Sequence, residues 1–130
     1  MQQVRREDTA PELTVRRALH EAGLRFRLHD KRLPGSPDLV LPGRMTVVFV
    51  HGCFWHGHDC RHGRVKAKTN EEFWTEKIDA NRARDARQQA DLRQLGWFVE
   101  VVWECEAGNK TRLRRLALRL LARGNQATET

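Results

Sequence analysis

Three of the ten residues from position 51 to position 60 are histidines and two are cysteines, a density that an ordinary loop does not need. Thiolate and imidazole are the ligands that zinc prefers, and Cys53, His58 and Cys60 could fill three positions of a tetrahedral site. The only other cysteine, Cys105, follows a distant apolar run and could supply the fourth ligand. The pattern therefore predicts a structural zinc ion that ties this loop to a distant strand.

His51 and His56 remain once these zinc ligands are assigned, and they suggest hydrolytic chemistry. Asp38 begins one predicted strand and His51 follows the next, so the two can meet at one edge of a sheet. A carboxylate beside an exposed backbone carbonyl suits Mg²⁺, and His56 could deprotonate a water for attack on phosphorus. Two alternatives stay open: Asp38 could be a turn residue after a proline, and His56 could replace Cys105 as the fourth zinc ligand.

For the other titratable residues the sequence gives weaker support for a catalytic role. A catalytic imidazole needs an acceptor on its second ring nitrogen, and Asp85 in the predicted long helix is the candidate, with a surface ion pair to neighbouring arginines as its alternative. Glu12 has a structural explanation, because it stands three residues after a threonine in a helix-capping box. His20, His29 and His62 lie among ordinary polar residues and are assigned no role.

Large aromatic side chains flank these polar candidates. Phe54 and Trp55 lie between the zinc ligands, on a loop that the metal would hold stiff, and they could stack on or wedge between nucleic-acid bases. Covering the zinc is an equally good explanation for Phe54, whereas Trp55 stands next to the candidate base. Trp74 could be a second arm of this wedge or a core residue. Trp97 and Trp103 alternate with strand apolars, as core residues do.

The elements that must position these residues follow in the order helix, three strands, long helix, strand, helix. Thr9 caps the first helix and Gly23 stops it, and the long helix begins at a second capping box near Thr69 and ends before Gly96. The predicted strands span residues 25–30, 38–41, 45–50 and 97–103. The first helix has Leu13, Ala18, Leu19 and Ala22 on its predicted apolar face, and the last helix, closed by Gly124, has Leu113, Leu116, Ala117, Leu120 and Leu121.

This order predicts one α/β domain over residues 1–130. The first three strands can form a meander, and the last strand must return through the long helix to lie parallel to a central strand. The result is a mixed sheet flanked by helices, with a structural zinc site at its rim.

Charge and composition restrict the class of partner and the compartment. The chain has 24 Lys plus Arg against 17 Asp plus Glu, a net charge of +7. An arginine-rich excess favours phosphate and therefore nucleic acid, with a merely solvated surface as the alternative. No segment is apolar and long enough to span a membrane or to act as a signal, so we expect a cytoplasmic, nucleoid-associated protein whose thiols stay reduced.

At this point the chain resembles the very-short-patch (VSP) mismatch repair endonucleases, from Asp8 to Cys105. The motifs that carry the resemblance are Leu33-Pro-Gly-Ser-Pro-Asp38, His51-Gly-Cys-Phe-Trp-His56, Glu72-Phe-Trp74, Lys77-Ile78, Asn81 with Arg84-Asp85, and Leu95-Gly-Trp97. The resemblance implies a restriction-endonuclease-like fold and a nick on the 5′ side of the mispaired thymine in a T:G pair.

The resemblance also implies a role for individual positions. Asp38 and the carbonyl of Val50 would hold Mg²⁺, although family members often have threonine where Val50 stands. His56 would be the base and Asp85 its orienting group. The supporting catalytic groups would be His51 and Glu12, the zinc ligands Cys53, His58, Cys60 and Cys105, and the DNA-binding residues Phe54, Trp55, Trp74 and Lys77.

The expected partner is double-stranded DNA with a T:G mismatch, bound by a monomer without membrane association, and other repair proteins are further candidate partners. Two alternatives are weighed against this function. One is a restriction-like nuclease with relaxed or different target choice, and the other is a non-catalytic, zinc-stabilised DNA-binding module. The combination of Asp38, His51, His56 and Asp85 argues against the second, because a pure binding module does not need these groups.

Overall fold

The computed structural model describes residues 9–53 and 71–123. Several predicted residues lie outside these ranges, namely Phe54, Trp55, His56, His58, Cys60, His62, Thr69 and Gly124. Within the described residues, the order of elements is the predicted one. It comprises α1 (Ala10–Glu21), β1 (Arg27–Leu28), β2 (Leu39–Leu41), β3 (Thr46–His51), α2 (Glu71–Gln94), β4 (Phe98–Trp103) and α3 (Lys110–Ala122).

The sheet has four strands in the order β1-β2-β3-β4. The pairs β1–β2 and β2–β3 are antiparallel, and β4 is parallel to β3. A parallel pair needs a long crossover, which the 24-residue helix α2 supplies. The predicted meander and the parallel return are therefore confirmed, and a mixed sheet flanked by helices fits a restriction-endonuclease-like fold.

Apolar side chains pack on both faces of this sheet because successive strand residues point to opposite sides. One cluster joins α1 and α3 to strand residues such as Leu39, Val48 and Val102. The other cluster joins Leu92 of α2 to residues such as Phe49. β3 is covered on both faces, as its nearly continuous apolar sequence predicts.

The buried face of α1 differs from the predicted one. Thr9 Oγ1 accepts a hydrogen bond from the Glu12 N–H at 3.3 Å, as a cap should. The side chains that the helix buries are those of Glu12, Val15 and Leu19, whereas Leu13 is 42% exposed. The prediction is confirmed for Leu19 and for Ala18, which packs against the core, and is wrong for Leu13 and Ala22. An acidic side chain occupies part of the inward face, and apolar periodicity cannot detect such a residue.

The first predicted strand, residues 25–30, is also shorter than expected. Only Arg27 and Leu28 pair with β2, and both are exposed. The strand ends because His29 takes a left-handed backbone conformation with φ 47°. Phe26 supplies the contact with the core instead.

The last helix follows its predicted pattern at four of five positions. Leu113, Leu116, Ala117 and Leu120 are buried, whereas Leu121 is 38% exposed. Each buried leucine contributes about 2 kcal/mol, so packing holds this helix in place. Among the described residues, no helix combines the length and the apolar character needed to cross a membrane.

Glu100 is a buried acidic residue that ties β4 to α3. It is 8% exposed and accepts hydrogen bonds from Arg119 at 2.9 Å and Arg123 at 2.8 Å. Burial tends to raise the pKa of Glu100, but the bonds from the two arginines outweigh it and lower the pKa. The carboxylate is therefore a structural ion-pair partner within the fold.

Candidate active site

Asp38 lies at the edge of the sheet where β2 begins and β3 ends. The antiparallel register pairs Leu39 with Val48, which brings the start of one strand to the end of the other. Asp38 Oδ2 accepts a hydrogen bond from the Val50 N–H at 2.7 Å. The candidate carboxylate is thus held against the residue whose carbonyl is the other expected Mg²⁺ ligand.

A glycine turn delivers Asp38 to this position. Gly35 has φ +77°, a conformation that side-chain-bearing residues rarely adopt. A Cβ atom placed there would stand 2.9 Å from Gln88 Oε1 of α2 and 3.1 Å from Phe49 Cζ. The turn before Asp38 therefore packs directly on α2 and β3, which requires a glycine at this point.

Glu12, His29 and Asp38 form a compact cluster beside Val50. Of the described His, Cys, Asp and Glu side chains, these are the three whose ligand atoms lie within 4.8 Å of one another. Glu12 is 1% exposed, its Oε2 atom accepts a hydrogen bond from Arg16, and the same atom lies 2.6 Å from His29 Nε2. The carboxylate of Glu12 thus faces the site, in addition to the part its backbone has in the helix cap.

Sequence analysis missed His29. The β1–β2 register, in which Arg27 pairs with Val40 and Leu28 with Leu39, places His29 opposite Asp38. The His29 N–H donates to the Asp38 carbonyl at 3.1 Å, extending this ladder by one bond. The antiparallel pairing of the first two predicted strands could have indicated that His29 lies near Asp38. Finding the contact also requires the strand register, and the tertiary structure sets that register.

The environment of Asp38 raises its pKa to about 6. Burial is the largest cause, because it penalises the charged form. The Val50 N–H opposes this effect by stabilising the carboxylate, the nearby charge of Glu12 raises the pKa further, and His29 lowers it.

The chemistry of this donor set fits a divalent cation. Two carboxylates lie close together in a partly buried place, where like charges are costly unless a positive charge offsets them. Carboxylate and carbonyl oxygens are the ligands that Mg²⁺ prefers, and it keeps several waters when bound.

His51 is the last residue of β3 and is buried at 6% exposure. Its ring centroid lies 5.4 Å from that of Phe49 and 5.3 Å from that of Trp103, the second contact being edge-to-face. Trp103, predicted to be core, is half-buried and helps to hold this imidazole. His51 is therefore a packed, oriented side chain at the same end of β3 as Val50.

Cys53 and Cys105 each lie two residues beyond the end of one of two neighbouring strands, β3 and β4. The parallel register pairs His51 with Trp103, and each cysteine follows two residues later. The Cys53 N–H donates to Glu104 Oε1 at 3.2 Å. The structure thus brings together the two chain segments that the predicted zinc ion would join.

Asp85 lies on the side of α2 that is turned toward the sheet. Trp74, Asn81 and Asp85 are half-buried, and Leu92 on the same side is fully buried. The arginines that would form a surface ion pair, Arg82, Arg84 and Arg87, are exposed, and Arg82 stands about one turn before Asp85. Asp85 is thus half-buried, and its role as the orienting group stays a prediction.

The first turns of α2 carry an aromatic and basic group. Phe73 is 52% exposed and packs edge-to-face on Trp74, with ring centroids 4.9 Å apart. Lys77 Nζ lies 5.7 Å from the centre of the Phe73 ring. Sequence analysis singled out Trp74 and Lys77 but not Phe73, although it stands within the same Glu-Phe-Trp motif.

Comparison with known proteins gives consistent matches. Residues 1–62 match the family described as DNA mismatch endonuclease Vsr. The chain is 54% identical over 120 residues to the type II nicking enzyme V.XorIIP of Xanthomonas oryzae pv. oryzae, covering 89% of this chain and 88% of that enzyme.

Two further relatives are similarly well covered. The type II nicking enzyme V.NmeAIP of Neisseria meningitidis is 46% identical over 121 residues, covering 93% of this chain and 86% of the relative. The DNA mismatch endonuclease Vsr of Escherichia coli is 44% identical over 118 residues, covering 91% of this chain and 75% of the relative. The similarity therefore extends over α1, the sheet and α2.

Proposed function

Because this chain belongs to the Vsr family of DNA mismatch endonucleases, we propose that it nicks duplex DNA on the 5′ side of the mispaired thymine in a T:G pair, by Mg²⁺-dependent hydrolysis. The enzyme class, a DNA endonuclease, follows from the family itself. The observation that carries the proposed mechanism is the position of Asp38. Its carboxylate is fixed by the Val50 N–H at the rim of the sheet, next to Glu12 and His29.

Asp38 and the Val50 carbonyl would hold the Mg²⁺ ion, which supplies positive charge to the phosphate oxygens as negative charge develops there. His56 takes a proton from the attacking water, and Asp85 accepts a hydrogen bond from the other ring nitrogen to orient that imidazole. Glu12 supports the site through its direct contacts with the Asp38 cluster, and His51 through its packing against Phe49 and Trp103.

Recognition of the distorted base pair falls to aromatic and basic groups. Phe54, Trp55 and Trp74 wedge into the base stack beside the mismatch, and Lys77 contacts the backbone there. The exposed Phe73 ring beside Trp74, with Lys77 over it, supports this assignment because such a group can meet both a base and a phosphate. A zinc ion on Cys53, His58, Cys60 and Cys105 would keep the wedge rigid.

A nicking assay on a panel of duplexes tests this function. The panel contains a T:G mismatch, the other mismatches and the fully paired sequence, each with Mg²⁺ and with EDTA. We expect cleavage of the T:G duplex only with Mg²⁺, at one phosphodiester 5′ of the thymine. Asp38→Asn should lower the rate at least about 100-fold because it removes a metal-binding charge, whereas Asp79→Asn removes an exposed carboxylate of α2 and should cleave normally.

Two results would contradict the proposal separately. Equal rates on paired and mismatched duplexes would reject T:G specificity. They would favour a nicking enzyme with another target, a possibility that the names of the first two relatives leave open. Undiminished cleavage by Asp38→Asn would reject the assignment of the metal site.

A further inference from the structure

We propose that His29 is a positioning residue of this catalytic centre, holding the carboxylate of Glu12 toward Asp38 through its Nε2–H; this inference rests on the function proposed above. The Nε2 and Oε2 atoms are 2.6 Å apart, a short distance typical of a charge-assisted hydrogen bond. Glu12 is almost completely buried, so its orientation depends on the few donors that reach it.

Among the described residues, Arg16 and His29 both reach Glu12 Oε2, and their positions in the fold are not equivalent. Arg16 lies one turn further along α1 and moves with Glu12 as part of the same helix. His29 belongs to the β1–β2 hairpin, which also carries Asp38. His29 is therefore the contact that ties Glu12 to the hairpin of Asp38, and Arg16, whose Nη2 lies 3.3 Å from His29 Nε2, joins this contact from the helix of Glu12.

The backbone of His29 supports the same role. Its φ of 47° is disfavoured for a residue with a side chain, and such conformations persist where the surroundings demand them. In this conformation the His29 N–H donates to the Asp38 carbonyl at 3.1 Å while its ring reaches Glu12. One residue thus contacts both carboxylate-bearing residues, through its main chain and its side chain.

Direct metal ligation by His29 is the competing explanation, and the geometry argues against it. The Nε2 atom that faces the cluster is already engaged with Glu12. A glutamine side chain distinguishes the two roles, because its amide can donate to a carboxylate but is a poor substitute for an imidazole ligand.

The experiment compares His29→Gln and His29→Leu with the wild type. Glutamine and leucine both pay the energetic cost of the left-handed backbone at position 29. A difference in Mg²⁺ affinity between the two variants therefore reports the effect of the side-chain hydrogen-bond donor. We measure the Mg²⁺ concentration for half-maximal nicking of the T:G duplex, the Mg²⁺ affinity of the DNA-free protein by calorimetry, and thermal unfolding. His20→Leu is the control, since His20 is exposed on α1.

We expect His29→Leu to weaken Mg²⁺ affinity and to raise the half-maximal concentration by about tenfold or more, the usual cost of losing an outer hydrogen bond to a metal-site group. His29→Gln should stay within about threefold of the wild type by the same principle, and His20→Leu should be unchanged. Wild-type Mg²⁺ dependence in His29→Leu would overturn the proposal, as would a His29→Gln variant no better than His29→Leu.

A double-mutant cycle covers the case in which His29→Leu folds poorly. In the Glu12→Gln background, replacing His29 with glutamine or leucine should add little further loss, because the bond has already been weakened. Fully additive losses would overturn the coupling. A wild-type protein that binds Mg²⁺ but does not nick T:G duplexes would reject the proposed function, while the calorimetric comparison would still decide the role of His29.

Discussion

At the scale of single residues, the site is defined by one buried carboxylate, Glu12, and one half-buried carboxylate, Asp38. Asp38 has a raised pKa because burial penalises its charge and Glu12 adds a second negative group. Both effects oppose ionisation in the metal-free protein, whereas a bound cation would reverse them. A buried carboxylate that is costly on its own is a feature of binding sites more than of structural ion pairs.

The pKa of Asp38 predicts a specific pH dependence of stability without metal. The value in the folded protein, about 6, lies above the ordinary value of 3.8, so folding favours the protonated form. Its contribution to stability is fully present below pH 3.8 and is lost as the pH rises through 6. Between these limits the wild type should lose about 2 to 3 kcal/mol relative to Asp38→Asn, which keeps an acceptor for the Val50 N–H.

Denaturant unfolding in EDTA from roughly pH 4 to pH 7 measures this difference. Asp79→Asn, at an exposed position, should follow the wild-type curve at every pH. Parallel curves for the wild type and Asp38→Asn would show that the Asp38 environment does not penalise its charge.

At the scale of elements, the turn before β2 links the packing of α2 and β3 to the position of the candidate metal ligand Asp38. Gly35 allows the chain to pass close to Gln88 and Phe49, so α2, β3 and the turn hold one another in place. Asp38 follows Gly35 by three residues, so the packing of the turn also determines where Asp38 lies. The same helix contributes Asp85 and Trp74 on its inward side, which makes α2 the element that links the candidate base to the wedge.

Gly35→Ala should therefore damage both stability and cleavage. The new Cβ atom would lie too close to Gln88 and Phe49, and the alanine would have to keep the disfavoured positive φ of residue 35. Together these two effects cost about 1 to 3 kcal/mol of folding stability. Because the shift is transmitted to Asp38, the nicking rate should fall about tenfold or more even at temperatures where the variant is folded. Gly108→Ala is the matched control, since a Cβ there has no neighbour within 4 Å.

Thermal unfolding and single-turnover nicking of the T:G duplex check this prediction. A Gly35→Ala protein with normal stability and a normal rate would mean that the turn can move without displacing Asp38.

At the scale of the whole molecule, the ends of two parallel strands must be joined for the site to be rigid. β3 and β4 are adjacent, and Cys53 and Cys105 each follow two residues after the paired strand ends His51 and Trp103. The predicted zinc ion would convert this adjacency into a link across 105 − 53 = 52 positions of sequence. Closing a loop of that size with a covalent bridge stabilises a protein by about 4 kcal/mol, and a tightly held metal acts in the same direction.

Removal of zinc should accordingly lower the melting temperature by roughly 10 °C or more. Cys105→Ser should show the same loss without any chelator, and adding a chelator should then change its melting temperature little. Metal analysis of the purified protein and thermal unfolding with and without the chelator provide the test. An unchanged wild-type melting curve after complete chelation would contradict a structural zinc site.

Local sequence signals were sufficient for most of the elements. The caps, the breaking glycines and the apolar periodicities predicted seven helices and strands in the correct order, because each depends on residues a few positions apart. The same signals failed where a face or a length is chosen by distant partners. Glu12 replaced Leu13 on the inward face of α1, and His29 ended β1 two residues early.

The sequence by itself determined the chemistry available to this protein: the carboxylate of Asp38, the histidine and cysteine loop, the paired aromatics and an arginine-rich charge are properties of residue type and spacing. Only the tertiary structure decided which of these groups meet. It placed Glu12 and His29 against Asp38, left Asp85 half-buried on α2, and brought the segment of Cys53 against Glu104, next to Cys105. Strand register and helix orientation arise from the packing of the whole core, so a contact between distant residues depends on long-range interactions that no local pattern contains.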